Sequence, residues 1–187
     1  RFFGNPVITY MQTKSYDILS DDMLLIDFMS EDMCKKMISL SEKHTFKSLS
    51  YDKVKGQELR LREFGLWNEL EQHWNTHIYP IVHEFWTPCH MWGMRDAFLI
   101  KYEMDKQRDL PLHNDASLVT GSVKLNDDYE GGVLEFPRQK LSNKDIPIGK
   151  CILFPGQVTH GHLSTPITKG TKYSLTIWSQ RYSGDDI

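Results

Sequence analysis

The sequence predicts an α+β fold, a double-stranded β-helix (jelly roll) with N-terminal helices packed on one sheet. Two observations predict it. Apolar residues at helical spacing are confined to the first half, and from Ala97 onward short strand-like runs recur between turn signals. A third observation sets the scale: 187 residues, 40% hydrophobic and 25% charged, suffice for one domain with a sizeable core. The expected organisation is a single domain over 1–187, helical to about residue 95, with the jelly-roll core at about 96–181.

Each element follows from a local signal. Ser30 is an N-cap, with Glu31 and Asp32 in the first turn to complement the helix dipole. Met33, Met37, Ile38 and Leu40 then form an apolar stripe up to about His44. A second helical pattern runs over 66–85 through Leu66, Leu70, Trp74, Ile78, Ile81, Val82 and Phe85. Pro80 lies inside it, lacks a backbone donor and predicts a break or kink. Strands are expected over 97–102, 117–125, 132–136, 150–154, 158–163 and 171–178. Asn126-Asp127-Asp128, Gly131-Gly132, Pro155-Gly156 and Lys169-Gly170 are the turns between them, Gly131-Gly132 needing positive φ. The stretch 105–111 reads as a loop.

Composition excludes several classes. A net charge of -3 gives no basic field for nucleic acid, and no apolar run reaches membrane-span length. Neither nucleic acid nor a membrane is an expected partner. Cys34, Cys89 and Cys151 are odd in number and form no C-x-x-C, which argues against a disulfide framework and a thiolate zinc site. Reduced thiols suit a reducing compartment, so a cytoplasmic location is expected. The chain begins at Arg1 rather than Met and reads as a trimmed or processed piece.

His113 and Asp115 lie two residues apart in L-P-L-H-N-D-A-S, so an extended chain presents both side chains to one ion. A distant His must complete the set. Two imidazoles and one carboxylate occupy one face of an octahedral Fe(II) and leave the other open. A lone His is ordinarily a surface or packed imidazole. Here the H-x-D precedes a strand pattern, and a second His lies upstream of Lys172 on the final strand, which favours the metal reading. Strand alternation does not separate His160 from His162 as the third ligand, since both fall on one face. Lys172, Ser174, Thr176 and Trp178 share one face of the last strand, opposite Tyr173, Leu175 and Ile177. A lysine pointing into a jelly-roll interior needs an anion as partner. On pattern alone, a solvated lysine at a strand start is equally favoured.

At these residues the chain resembles the 2-oxoglutarate/Fe(II) oxygenases, and within them the catalytic domain of procollagen lysyl hydroxylases and their viral relatives. The resemblance runs from about Trp67 to Trp178 and is carried by F-L-I-K-Y-E-M-D-K-Q, H-N-D-A-S, V-K-L-N, Y-E-G-G-V-L-E-F, P-G-Q-V-T-H-G-H and P-I-T-K-G-T-K-Y. Residues 1 to about 60 contribute little. The resemblance implies that His113, Asp115 and His162 bind iron. It selects His162 because family members carry a basic residue ten positions beyond the second His, where Lys172 stands, and leaves His160 a neighbouring or rim residue. Lys172 and Tyr102 fall on positions that contact 2-oxoglutarate in the family. The implied cofactors are Fe(II), 2-oxoglutarate as cosubstrate, and ascorbate. The implied reaction is hydroxylation of a lysyl side chain in a peptide or protein, consuming O₂ and releasing succinate and CO₂. It needs no general base. Asp115 favours hydroxylation, since related halogenases have Ala or Gly at that position.

The chain also departs from the pattern. Lysyl hydroxylases have Arg where Lys172 stands, whereas prolyl 4-hydroxylases usually have Lys, so prolyl hydroxylation is the alternative. Ser122 replaces an Asn of the animal enzymes, and their dimer-forming tail is not recognisable in Arg181 to Ile187. A metal-binding jelly roll used only for recognition is the alternative of a different class. Among other features, His73 and His77 lack the following Glu of H-E-x-x-H and read as a surface pair. Phe85, Trp86 and Trp92 read as core between helix and sheet. Trp178 and Arg138 are candidates for the substrate mouth, and Asp96 and Glu130 for attracting a substrate lysine.

Overall fold

Strand alternation in this chain builds two main sheets whose facing sides enclose a mixed interior, apolar clusters beside a cavity that gathers polar side chains. The computed structural model describes residues 16–48, 56–86 and 92–180. The first strands are β1 (Tyr16–Ser20), β2 (Met23–Asp27) and β3 (Glu58–Arg60). Then come β4 (Trp92–Glu103), β5 (Leu110–His113), β6 (Val119–Lys124), β7 (Glu130–Gly131), β8 (Leu134–Phe136) and β9 (Leu141–Ser142). The last are β10 (Lys150–Pro155), β11 (His162–Ser164), β12 (Ile167–Lys169) and β13 (Thr171–Gln180). The larger sheet has seven antiparallel strands in the order β1-β2-β10-β6-β13-β4-β3. The smaller has the order β5-β11-β8-β9, and β12 pairs with β7 beside it.

The two faces of the larger sheet differ because side chains alternate. One face carries Val119, Val123, Leu153, Leu175 and Ile177 and packs under the helices. Helix α1 (Glu31–Ser41) starts where the Ser30 hydroxyl accepts from the Met33 N–H at 3.2 Å, a cap that contributes about 1 kcal/mol. It buries Met33, Cys34 and Met37 against the sheet. The second helical pattern divides. α2 (Trp67–His73) passes into one π-helical stretch (Trp74–Ile78) and then α3 (Tyr79–Phe85), with Pro80 in the first turn of α3. Tyr79 donates to the Trp74 carbonyl, a widened turn immediately before the residue that has no N–H to give. Trp74 is wholly buried in this core.

Several expectations need correction. The part before residue 96 is not helical alone, since β1, β2 and β3 all join the larger sheet. Apolar alternation is short in each, which hid them from the helical reading. Leu110 and Pro111 belong to β5 rather than to a loop, because β11 supplies their pairing partner. Strand β11 begins only at His162, and Val158 lies in a turn with 76% exposure. His73 is not on the surface. It is buried edge-to-face on Phe28, with ring centroids 4.9 Å apart, and burial pulls its pKa down to about 4. Phe85 and Trp86 do pack edge-to-face, at 4.9 Å. The side chain of Trp92, Cys89 and the stretch from Arg181 to Ile187 lie outside the described residues. Cys34 and Cys151 are buried free thiols.

Candidate active site

The interior face of the larger sheet can be read as rows across its strands. Tyr102 of β4 faces Lys172 of β13. Ile100, Ser174 and Lys124 form the next row, then Phe98, Thr176 and Ser122, then Trp178 and Thr120. All of these side chains line one cavity of about 210 Å³. The smaller sheet closes it with His113, Leu134, His162 and Ser164.

His113 ends β5, and Asp115 lies beyond the strand rather than on it, as the extended H-x-D reading had supposed. The Asp115 N–H donates to the Gly156 carbonyl at 2.9 Å, and the Gly156 N–H donates to the Leu118 carbonyl at 3.0 Å. A Cβ at Gly156 would sit 2.5 Å from the Ser117 carbonyl and 3.2 Å from the Asp115 Cβ. Only glycine lets the chain pass this close, and that approach turns Asp115 inward. His162 opens β11 directly opposite His113.

The three side chains converge. Their ligand atoms lie within 4.8 Å of one another, with Asp115 Oδ1 3.6 Å from His113 Nε2 and Oδ2 3.7 Å from His162 Nε2. Each ring turns Nδ1 to a backbone carbonyl, His113 to Pro111 at 2.7 Å and His162 to His160 at 2.9 Å. A carbonyl only accepts, so Nδ1 carries a hydrogen, and Nε2 is the atom that faces the cavity to coordinate in the neutral ring. Burial holds the His162 pKa below the usual imidazole range, which favours the neutral, ligating form. Asp115 is 5% exposed, and its buried Oδ2 has no hydrogen-bond partner among the described residues. A buried carboxylate without a partner is costly, and a cation resolves that cost. Two neutral imidazoles and a carboxylate suit Fe(II). The residues therefore fit the metal that the sequence implies.

His160 takes a different part. It is 2% exposed, bonds Thr159 Oγ1 through Nδ1 at 2.8 Å and does not line the cavity. Its contribution is the carbonyl that orients His162.

Lys172 is 3% exposed and donates to Ser164 Oγ at 2.8 Å, with its ammonium 4.4 Å from the centre of the Tyr102 ring. No carboxylate pairs with it among the described residues. Burial, helped by the nearby Lys124 charge, pulls its pKa down to about 7. Burial pushes the Tyr102 pKa up, against the opposing effect of the nearby Ser164 and Ser174 hydroxyls. Gly132, at φ +60°, leaves room for the lysine stem, since a Cβ there would lie 3.0 Å from Lys172 Cδ. Gly131 also has positive φ, at +75°. The expected Gly131-Gly132 turn is thus partly strand, with Gly131 in β7 paired to β12, and its Gly132 lies against the Lys172 stem.

Other candidates fall elsewhere. Trp178 lines the cavity, whereas Arg138 is exposed and does not. Asp96 is paired with Arg60, and Glu130 with Lys169 at 3.1 Å, so neither is a free carboxylate for a substrate lysine. Residue-by-residue reading missed Thr120, Lys124 and Ser164, and placed Ser174 on the face of Lys172 without giving it a part in the site. The alternation Thr120-Ser122-Lys124 opposite Lys172-Ser174-Thr176 was the available signal.

No protein-family model matches the chain. Over 127 residues it is 32% identical to procollagen-lysine,2-oxoglutarate 5-dioxygenase 1 of Mus musculus, covering 66% of this chain and 17% of that one. Over 168 residues it is 28% identical to the multifunctional procollagen lysine hydroxylase and glycosyltransferase LH3 of Homo sapiens, covering 82% and 23%. The chain thus spans 17% to 24% of the length of the curated relatives it matches. Among solved structures it matches a viral collagen prolyl hydroxylase of Paramecium Bursaria Chlorella virus-1, in complex with 2OG, at TM-score 0.65 and 18% identity over 86% of this chain and 96% of that one. A prolyl-4-hydroxylase of Pseudomonas putida matches at TM-score 0.63 and 13% identity over 84% and 90%. Sequence similarity to the lysine dioxygenases, the fold of the prolyl hydroxylases and a metal-ready His-Asp-His cluster all converge on the 2-oxoglutarate/Fe(II)-dependent oxygenase class.

Proposed function

We propose that the chain hydroxylates a lysyl side chain in a peptide or protein substrate, with 2-oxoglutarate and O₂ as cosubstrates. The balance is R–H plus 2-oxoglutarate plus O₂ giving R–OH, succinate and CO₂. The observation that carries the reading is the sharing of one cavity by the triad and the buried, acid-free Lys172. In the same reading, the two sheets close as a double-stranded β-helix around that cavity.

Iron held by His113, Asp115 and His162 would supply the redox chemistry that couples decarboxylation of the cosubstrate to C–H hydroxylation. The protein's own groups bind and orient. The Pro111 and His160 carbonyls fix the two imidazoles in the tautomer that offers Nε2. Asp115 supplies the anionic ligand. Lys172, steadied by Ser164 and backed by Tyr102, holds the far carboxylate of 2-oxoglutarate. Phe136 and Phe154 pack on His162, with ring centroids 5.4 and 5.0 Å away, and keep that side of the site dry.

The lysyl assignment is supported by the curated relatives, which are named for procollagen lysine. A second reading, prolyl hydroxylation, is favoured by lysine rather than arginine at position 172. A panel of X-Lys-Gly and X-Pro-Gly peptides, read by mass and by succinate release, separates them. The proposal expects oxygen on lysine. Oxygen on proline replaces it with the second reading. Iron and 2-oxoglutarate binding without turnover on either panel would favour a recognition module.

A further inference from the structure

Lys172 is not the only ammonium on the cavity wall. Lys124 ends β6 opposite Ser174, the residue two along from Lys172 on the same face of β13. The two lysines are therefore diagonal neighbours on adjacent strands, a spacing of about 7–8 Å between Cα atoms that long side chains bridge easily. Both line the cavity, together with Ser164, Ser174 and Asn143. Lys124 is partly buried, and its Nζ donates to the Ile146 carbonyl at 3.2 Å.

Two like charges flanking one cavity, with no acid paired to Lys172 among the described residues, disfavour each other. Glu58 is the one carboxylate in the lining other than Asp115; it stands on edge strand β3 opposite Ile100, two strands from Lys172, and pairs with Arg60 at 3.7 Å. The bland account of Lys124 is a strut to the Ile146 carbonyl. That account explains its tether but not the placing of a second cation beside a buried one.

We propose that Lys124 is a second cationic anchor for the cosubstrate, closing with Lys172 on the far carboxylate of 2-oxoglutarate. This rests on the oxygenase reading above. Lys172 meets the carboxylate from β13 and Lys124 meets it from β6, so the carboxylate is held between two donors rather than at one. Charge-assisted hydrogen bonds of this kind shift affinity strongly in a dry pocket.

The test is calorimetric titration of 2-oxoglutarate and of 2-oxovalerate, which lacks the far carboxylate, into the protein loaded with Mn(II) under anaerobic conditions. Lys124→Met keeps the stem and removes the charge. Its 2-oxoglutarate Kd is expected to rise about tenfold or more, with 2-oxovalerate binding, Mn(II) affinity and melting temperature unchanged. Lys124→Arg should recover most of the loss. A Lys124→Met protein that binds 2-oxoglutarate within twofold of the parent, while Lys172→Met is impaired, overturns the proposal and leaves the strut. Equal weakening for both 2-oxo acids also overturns it. A parent protein that binds no 2-oxoglutarate when loaded with Mn(II) removes the oxygenase reading itself, and the proposal with it.

Discussion

Strand β13 separates two regions of the molecule residue by residue. Tyr173, Leu175 and Ile177 point into the helix-covered core, where they join Trp74, Val123 and Leu153. Lys172, Ser174, Thr176 and Trp178 point the other way, into the cavity with the triad. The outer face is apolar and close-packed, so its energetics come from burial. The inner side carries hydroxyls, ammoniums and buried polar atoms without a hydrogen-bond partner among the described residues, among them Asp115 Oδ2, Thr120 Oγ1 and Trp178 Nε1. One face stabilises the sheet, and the other forgoes stability to hold groups in readiness for ligands.

That contrast predicts that the two faces fail differently. The largest effect on chemistry should come from Asp115→Ala, which is expected to abolish succinate formation. The metal-free protein should melt no lower than the parent, because the lost carboxylate has no hydrogen bond from its Oδ2 to give up. A variant that kept full succinate formation would remove Asp115 from the metal site. Conversely, Trp74→Ala should cost about 3–5 kcal/mol of stability, typical of a large buried aromatic. Below its lowered melting point the protein should still bind metal, a result that denaturant titration with metal-binding calorimetry can check.

A subtler effect follows from Lys172, whose pKa lies near 7 because it is buried. Tyr102 on β4 and Lys124 on β6 face it, with Tyr129 and Glu58 near Tyr102. Below pH 7 the amine is charged and ready for a carboxylate. Above it, binding must draw a proton from solution, so the Kd for 2-oxoglutarate should rise by up to about tenfold per pH unit. The sign for stability is opposite. An unfolded lysine keeps its proton to about pH 10.4 while the folded one has lost it, so this group makes the ligand-free protein more stable as pH rises from about 7. Calorimetry and thermal melts between pH 6 and 9 measure both, and Lys172→Met should flatten both.

The same contrast explains what the sequence made legible. Alternation along β13 assigned faces correctly, since hydrophobic patterning is a local property of a strand. The cap at Ser30 and the disruption before Pro80 were legible because each arises from one residue's backbone chemistry. The convergence of His113, Asp115 and His162 came from motif spacing and resemblance, not from periodicity. Harder to see were β1, β2 and β3, whose few residues carry little pattern of their own. His73 was misplaced because its burial depends on Phe28 of a distant segment. Ser164 was invisible for the same reason, and Lys124 showed only its alternation with Thr120 and Ser122, since it is the pairing of strands that brings both to Lys172.

The central claim is that the triad and Lys172 form one site for a metal and a 2-oxo acid. Anaerobic addition of Fe(II) and then 2-oxoglutarate, followed by visible absorption, tests it most directly. The parent should develop a charge-transfer band that saturates at one equivalent, Asp115→Ala should not, and Lys172→Met should need far more 2-oxoglutarate to reach it. A parent protein that takes up Fe(II) yet gives no band, or a Lys172→Met protein that titrates like the parent, would contradict the account.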